Sequence, residues 1–285
     1  METSVCHTLK SPVIKKFCES ITELARSSGG YFEPIQNDFL EAYYQIVEKA
    51  RIEGRLPEGG EYRQKGNAFR DFISELIYVR SEGTYRLTDR RVPGYSERTH
   101  DVDLAYVRDN TVLVAGEVKM TGSPRHKRGG TGIQKERKTQ SDLDKRLKEV
   151  KFTAVDLKLR YTPEEAIIRA VNSENTISEV SNNSWWIQWI HDSIPGFYSF
   201  WASRLASGGR LDSRTGRRVD FDNPDLLLEK FRNLLKYNNA VGLFMFREEN
   251  SRYVPPVETE RIKREKISID DAVNDLIKFL DKHLD

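Results

Sequence analysis

The stretch HDVDLAYVRDNTVLVAGEVKM, residues 100–120, carries the strongest structural signal in this sequence. Two segments rich in valine and leucine flank Asp109 and Asn110, a pair of residue types common in tight turns. The stretch therefore predicts a β-hairpin. Several positions within it carry charged side chains where a buried strand would carry apolar ones: Asp101, Asp103, Glu117 and Lys119.

The alternation of side chains along a strand predicts that these charges meet. Successive residues point to opposite faces, so Glu117 and Lys119 share one face of the second strand. Asp101 and Asp103 share a face of the first strand, and a hairpin can set the two faces side by side. The opposite face of the second strand is apolar and is expected to contact the core.

Such a cluster of acids has a chemical consequence. Carboxylates buried close together are unfavourable unless a cation lies among them. Mg²⁺ binds carboxylate oxygens, keeps several waters and accepts phosphate oxygens from a substrate. Lys119 beside it would stabilise developing negative charge or help to deprotonate the attacking water, which predicts phosphodiester hydrolysis. An exposed, salt-bridged strand face is the alternative, but the apolar run VLVAGEV and the second acid pair argue against it.

The composition limits the class of protein. The chain has 285 residues, 46 basic and 44 acidic, with a net charge of +2. This near balance argues against a uniformly basic protein but is compatible with a local basic cleft. Cys6 and Cys18 have no zinc-type spacing and make no disulfide framework, so a reducing, cytoplasmic setting is the default expectation. No apolar run approaches the ~20 residues that span a bilayer, so no membrane segment is expected.

The segments DVDLAYV and VAGEVK together resemble the PD-(D/E)XK nuclease superfamily, which includes many type II restriction endonucleases. The resemblance implies that Asp103 and Glu117 bind Mg²⁺, with the main-chain carbonyl of Val118 as a further ligand. It implies that Lys119 assists the attacking water. The family's proline before the aspartate is absent, and Val102 takes its place. The motif is short, so it indicates the superfamily only.

The resemblance also implies a fold. An α/β structure is expected, with a mixed central β-sheet flanked by helices and helical N- and C-terminal additions, all in a single nuclease domain. The catalytic core would span roughly residues 65–165. The N-terminal helices within 11–60 and the C-terminal region 166–285 would serve recognition and dimerisation.

A helix predicted over residues 65–83 stands where the family often carries another catalytic acid. The family usually carries an acidic residue after the phenylalanine of this helix, but this sequence has Arg70 at that position. Glu75 is preferred as the helix acid. Asp71, four residues earlier on the same helix face, is the alternative candidate, and the alternative for Glu75 itself is an ordinary solvated charge.

Apolar periodicity predicts further elements. Helices are expected over residues 11–26, 37–51, 163–171 and 224–237, around 143–161, and from Ser268. The segment FTAVDLKLRY also alternates, so a strand is the alternative there. AVGLFMFRE is predicted to be a buried strand. The aromatic segment WWIQWIHDSIPGFYSFW, residues 185–201, is assigned to the core or to a dimer interface, with base stacking as the alternative.

Two basic, glycine-containing segments are predicted to be loops that contact DNA phosphates, with solvated loops as the alternative. The first, SPRHKRGGTG, directly follows the lysine strand and offers Arg125, His126, Lys127 and Arg128. The second, ASGGRLDSRTGRR, offers Arg210, Arg214, Arg217 and Arg218.

The charged hairpin predicts metal-assisted phosphodiester hydrolysis, and the resemblance implies a Mg²⁺-dependent, sequence-specific endonuclease that hydrolyses double-stranded DNA as type II restriction enzymes do. A homodimer is expected because the two-fold symmetry of a DNA site mirrors that of the protein. Two alternatives stay open. One is a structure-selective repair or recombination nuclease with the same site, and the other is a non-catalytic DNA-binding module whose charged hairpin is only salt-bridged.

Overall fold

The computed structural model describes residues 6, 8–57, 59–127, 134–137, 140–161, 184–205, 210–211, 218–219, 223–255 and 259–284. In chain order, the strands are β1 (Thr88–Val92), β2 (His100–Arg108), β3 (Thr111–Thr121), β4 (Ser123–Lys127), β5 (Gln134–Arg137), β6 (Gly196–Leu205), β7 (Arg210–Leu211), β8 (Arg218–Val219), β9 (Ala240–Glu249) and β10 (Arg252–Val254). The α-helices are α1 (Pro12–Ser27), α2 (Gln36–Ala42), α3 (Lys49–Ile52), α4 (Gly60–Arg63), α5 (Lys65–Arg80), α6 (Gln140–Arg160), α7 (Ser184–Asp192), α8 (Pro224–Arg232), α9 (Thr259–Arg264) and α10 (Ile269–Leu284).

The predicted hairpin is confirmed. Strands β2 and β3 pair antiparallel across a two-residue turn. Asp109 and Asn110 in that turn have φ values of 50° and 63°. Asp and Asn tolerate the left-handed region better than most residues, and two successive positive φ values match the turn that suits the twist of a hairpin.

The hairpin forms one side of a six-stranded sheet with the order β1-β2-β3-β6-β9-β10. Strands β1, β2 and β3 are antiparallel to one another, β3, β6 and β9 run parallel, and β10 turns back antiparallel to β9. The parallel strands are connected by segments that contain helices, as parallel pairing requires. The chain therefore has an α/β fold with a mixed open sheet flanked by helices, as predicted.

Helices cover both faces of this sheet. The first core layer joins β3 to α1, α2, α5 and α10, and it contains Val114 and Val118. The second layer joins the other face to α6 and α8, and it contains Ala115 and Trp201. Because side chains alternate along β3, Glu117 and Lys119 leave the strand on the face of Ala115, toward the second layer.

The aromatic segment belongs to this core. Phe197, Tyr198, Phe200 and Trp201 are fully buried on β6. Trp186 on α7 is buried with Ile190 in a smaller cluster. The assignment of these aromatic side chains to the core is confirmed.

The long helix is confirmed over the strand alternative. Leu143, Leu147, Val150, Ala154 and Leu157 all lie on the buried side of α6, which follows from their spacing of three and four residues. The predicted N-terminal helices are present as α1, as α5, and as a helical run over residues 36–52 that contains a π-helical segment, Tyr43–Glu48. The helix predicted for 163–171 lies outside the described residues.

Both predicted basic loops contain short antiparallel ribbons instead. Strand β4 pairs with β5, and β7 pairs with β8. Pairing between neighbouring segments satisfies backbone N–H and C=O groups that a loop leaves to water. These segments are rich in charged residues and glycine, which are typical of loops, so their sequence does not predict the strand pairing.

The two cysteines and the helices bear on the expectations of a reduced chain and of no membrane segment. Cys6 and Cys18 form a disulfide, which differs from the reduced state expected by default. Among the described helices, none combines the length and the apolar character that crossing a membrane requires.

The buried amino group of Lys158 links α6 to the segments that precede β6 and β9. Lys158 is inaccessible to solvent. Its Nζ donates hydrogen bonds to the carbonyl oxygens of Ile190 at 2.7 Å and Pro195 at 2.9 Å, and to the side chain of Asn239 at 2.9 Å. One side chain thus satisfies acceptors from three parts of the chain.

We expect Lys158→Met to lower the free energy of unfolding by about 3 kcal/mol or more, because several buried acceptors lose their donor. Urea denaturation followed by circular dichroism measures this change. Lys148→Met, at an exposed position of the same helix, is the matched control and should leave the midpoint unchanged. Equal stability of the two variants would contradict the assigned role of Lys158.

Candidate functional site

The candidate site lies where β2 and β3 cease to pair. At the end of the hairpin away from its turn, Leu104 and Gly116 are the last residues of β2 and β3 that pair. Beyond it, the backbone N–H of Val118 donates a hydrogen bond to Oδ2 of Asp103 at 2.9 Å. A carboxylate thus takes the place of a main-chain acceptor from β2, and this contact fixes the Asp103 side chain against β3.

Lys119 joins the two acids. Its Nζ lies 2.8 Å from Oδ2 of Asp103 and forms a second ion pair with Oε2 of Glu117. The side chains of Asp103, Lys119 and Glu117 are 29%, 24% and 11% exposed. The structure therefore brings Asp103, Glu117 and Lys119 into one partly buried cluster that stays accessible to solvent on the Asp103 side. Asp101, predicted to share this face, pairs instead with the exposed Arg91 at 2.8 Å.

Burial and charge together set the protonation of this cluster. Burial raises the pKa of Glu117 to about 7; the Lys119 ammonium opposes this shift and the Asp103 carboxylate adds to it. Burial by itself lowers the pKa of Lys119, but the charges of Glu117 and Asp103 outweigh this effect and raise its pKa above the ordinary value. Lys119 is therefore an ammonium at neutral pH and acts as a donor, whereas Glu117 exchanges its proton near neutrality.

The residues fit a hard divalent cation. The donors of Val118 and Lys119 use Oδ2 of Asp103 and Oε2 of Glu117, so each carboxylate has a second oxygen for another ligand. The N–H and C=O of one strand residue point toward the same neighbouring strand, so the Val118 carbonyl also faces the Asp103 side. Two carboxylates and a main-chain oxygen are the donor set that suits Mg²⁺.

The helix acids have other partners. Glu75 on α5 is 1% exposed and pairs with Arg26 at 2.7 Å and with Arg86 at 3.6 Å. Asp71, its alternative, pairs with Arg70 at 2.7 Å. Helix α5 packs in the first core layer, on the face of the sheet opposite to Glu117.

Only one compact group of three metal-ligating side chains occurs within the described part of the chain. It consists of Cys6, Cys18 and Asp71. In that same part, neither Glu75 nor Asp71 forms such a group with Asp103 and Glu117.

A buried carboxylate that the sequence patterns do not predict binds the backbone of the segment between β1 and β2. Asp156 on α6 is 3% exposed and accepts hydrogen bonds from the backbone N–H groups of Tyr95 at 3.1 Å, Ser96 at 2.7 Å and Glu97 at 3.3 Å. His100 Nε2 lies 2.7 Å from the same carboxylate. Burial by itself raises the pKa of Asp156, but the hydrogen bonds outweigh it and lower the pKa below its ordinary value.

Asp156 therefore fastens the β1–β2 connection to α6, the helix that covers the face from which Glu117 projects. No local motif marks this residue in the sequence, because its partners lie about sixty positions away.

The predicted DNA-contacting residues are placed only in part. Arg125, His126 and Lys127 lie on β4, which follows β3 after Gly122, and only their backbone is described. Arg128, Arg214 and Arg217 lie outside the described residues. Their contacts with DNA stay predictions.

Comparisons of this chain with protein-family models, with curated proteins and with solved structures find no match. The functional assignment therefore rests on the geometry and chemistry of the cluster itself.

We expect the carboxyl carbon of Glu117 to titrate near pH 7 in an NMR experiment on labelled protein. In Lys119→Met the pKa of Glu117 should rise further, because the nearby cation is lost. In Asp103→Asn it should fall, because the neighbouring negative charge is lost. Shifts of the same sign in both variants would contradict the described arrangement.

Proposed function

We propose that this chain is a Mg²⁺-dependent endonuclease that cleaves double-stranded DNA at specific sequences, as type II restriction enzymes do. The supporting observation is the convergence of Asp103, Glu117 and Lys119 at the point where β2 and β3 separate. Two acids and an amine around one accessible point are groups that suit metal-assisted phosphodiester hydrolysis.

In this proposal Asp103 and Glu117 bind the ion, and the carbonyl of Val118 is a further ligand. Mg²⁺ held by these ligands would supply Lewis-acid chemistry, polarising a phosphoryl oxygen and lowering the pKa of a water. Lys119 stays protonated and donates hydrogen bonds to the negative charge that develops on the phosphate. Asp103 fixes the position of the Lys119 ammonium. The expected product carries a 5′-phosphate and a 3′-hydroxyl, as the resemblance to the PD-(D/E)XK superfamily implies.

The α/β architecture is compatible with a restriction-endonuclease core, which we propose as the finer description of the fold. The antiparallel hairpin and the parallel strands β3, β6 and β9 would form that core. Strand β4, with Arg125, His126 and Lys127, continues from the end of β3 that carries Lys119. This placement supports a role of the β4–β5 ribbon, together with Arg128, in binding DNA phosphates next to the cleavage site.

The second basic segment, with Arg214 and Arg217, would contact bases or phosphates. A homodimer would match the two-fold symmetry of a palindromic DNA site. Glu75 does not enter the proposed mechanism, because its contacts with Arg26 and Arg86 give it a structural role.

We expect Lys119→Ala and Asp103→Asn to reduce Mg²⁺-dependent cleavage of plasmid DNA by about 10²–10⁴-fold while DNA binding persists. Asp101→Asn is the matched control, because Asp101 lies two positions away on the same strand and pairs with the exposed Arg91. Gel electrophoresis of plasmid and band-shift assays measure the two properties.

Discrete fragments support a sequence-specific enzyme. Cleavage of branched DNA only would instead indicate the structure-selective nuclease, and binding without Mg²⁺-dependent cleavage would indicate the non-catalytic module. Full cleavage by Lys119→Ala would refute the proposed mechanism.

The cleavage rate should fall below pH 7, by about tenfold per pH unit, because Glu117 takes up a proton and can no longer bind the ion. Raising the Mg²⁺ concentration should move the midpoint to lower pH, because the ion and the proton compete for the carboxylate. Single-turnover cleavage rates, measured over about two pH units on either side of the Glu117 pKa of about 7, test this expectation. A midpoint that is independent of Mg²⁺ would contradict this role of Glu117.

A further inference from the structure

A second group of metal-ligating side chains lies away from the candidate active site. Cys6, Cys18 and Asp71 bring two sulfur atoms and a carboxylate oxygen within 4.8 Å of one another. Their residues are 2%, 0% and 5% exposed. The group joins three segments: the N-terminal segment before α1, helix α1, and helix α5.

In the disulfide form, no described hydrogen-bond donor reaches Oδ2 of Asp71. Arg70 donates to Oδ1 of Asp71 from Nε at 2.9 Å and from Nη2 at 2.7 Å. The other oxygen, Oδ2, faces Sγ of Cys18 at 3.9 Å. A disulfide sulfur carries no hydrogen and cannot donate to this oxygen. Burial accordingly raises the pKa of Asp71 to about 6, although Arg70 opposes the shift.

We propose that the reduced chain binds a borderline-soft divalent cation, Zn²⁺ by preference, through the sulfur atoms of Cys6 and Cys18 and through Oδ2 of Asp71. The disulfide in the structure is then the oxidised, metal-free form of the same site. This inference does not depend on the proposed nuclease activity.

The chemistry of the ligands selects the metal. Thiolates favour Zn²⁺ over Mg²⁺, and zinc accepts a set of two sulfurs, one carboxylate oxygen and one water in tetrahedral geometry. Arg70 would fix the carboxylate through Oδ1 and leave Oδ2 for the ion, as partners behind metal ligands commonly do. Two thiolates and the Asp71 carboxylate carry three negative charges, which Zn²⁺ and the Arg70 guanidinium neutralise in full.

The redox step balances with a dithiol as the reductant. The sulfur–sulfur bond between Cys6 and Cys18 breaks, and the two cysteines take up two electrons and two protons. The dithiol loses the same number and closes to a cyclic disulfide. Each cysteine thiol then releases its proton to solvent when its sulfur binds the ion, so that metal binding becomes weaker at acidic pH.

Co²⁺ provides a direct probe, because thiolate ligation gives a sulfur-to-cobalt charge-transfer absorption that oxygen ligands at the candidate active site cannot produce. The full chain is reduced with a dithiol, separated from it without oxygen, and titrated with Co²⁺. We expect one Co²⁺ per chain with this absorption, and its loss on addition of Zn²⁺. The oxidised chain should show no such absorption.

Variants then assign the ligands. Cys6→Ser and Cys18→Ser should each lower the absorption by about half or more, because one of the two thiolate ligands is removed. Asp71→Asn should bind Co²⁺ at least about tenfold more weakly. Asp89→Asn is the matched control, because Asp89 contacts Arg70 at 3.3 Å but is exposed. Circular dichroism verifies the fold of each reduced protein.

Since reduced and oxidised wild type have the same sequence, the main comparison does not depend on any variant. Absence of the absorption in reduced wild type, or undiminished absorption in Cys18→Ser, would overturn the proposal. Wild-type affinity in Asp71→Asn would remove Asp71 from the site.

Discussion

The candidate site depends on one electrostatic constraint: two carboxylates lie next to each other at a partly buried position and require a positive charge between them. Lys119 meets this requirement by pairing with both Asp103 and Glu117. The constraint is only partly satisfied, because the pKa of Glu117 is still raised to about 7. We propose that the unfavourable proximity of these two partly buried acids favours a bound cation, which is the basis of the proposed function.

The fold creates the constraint through the packing of its layers. Val114 and Val118 are buried in the first layer, and alternation along β3 places Glu117 and Lys119 on the opposite face. Helix α6 covers part of that face, and Asp156 fastens the β1–β2 connection to it. Burial, and with it the pKa of Glu117, is therefore set by elements far apart in the sequence. The end of pairing after Leu104 and Gly116 supplies the opening in which the charged groups meet.

Two chemically different groups of ligands occur on opposite sides of this architecture. The acids of β2 and β3 form a hard, oxygen-only set suited to Mg²⁺. The cysteines, with Asp71, form a softer set on the side of α1 and α5. In each group a carboxylate pairs with a neighbouring cation, Asp103 with Lys119 in the first and Asp71 with Arg70 in the second. The difference in ligand type would keep the two sites selective for different ions.

The sequence by itself determined those features that depend on local spacing. The hairpin, the heptad-like stripe of α6 and the strand β9 follow from periodicity, and Asp103, Glu117 and Lys119 follow from alternation on a predicted hairpin. The ribbon strands β4 and β5, the disulfide, and the role of Asp156 were not predicted, because each depends on contacts that no local pattern specifies. Tertiary structure alone decided that Glu75 pairs with Arg26 and that Asp71 faces Cys18, although both acids share one helix face. The physical reason is that spacing fixes the direction of a side chain, whereas its partners, burial and pKa are fixed by which distant segments pack around it.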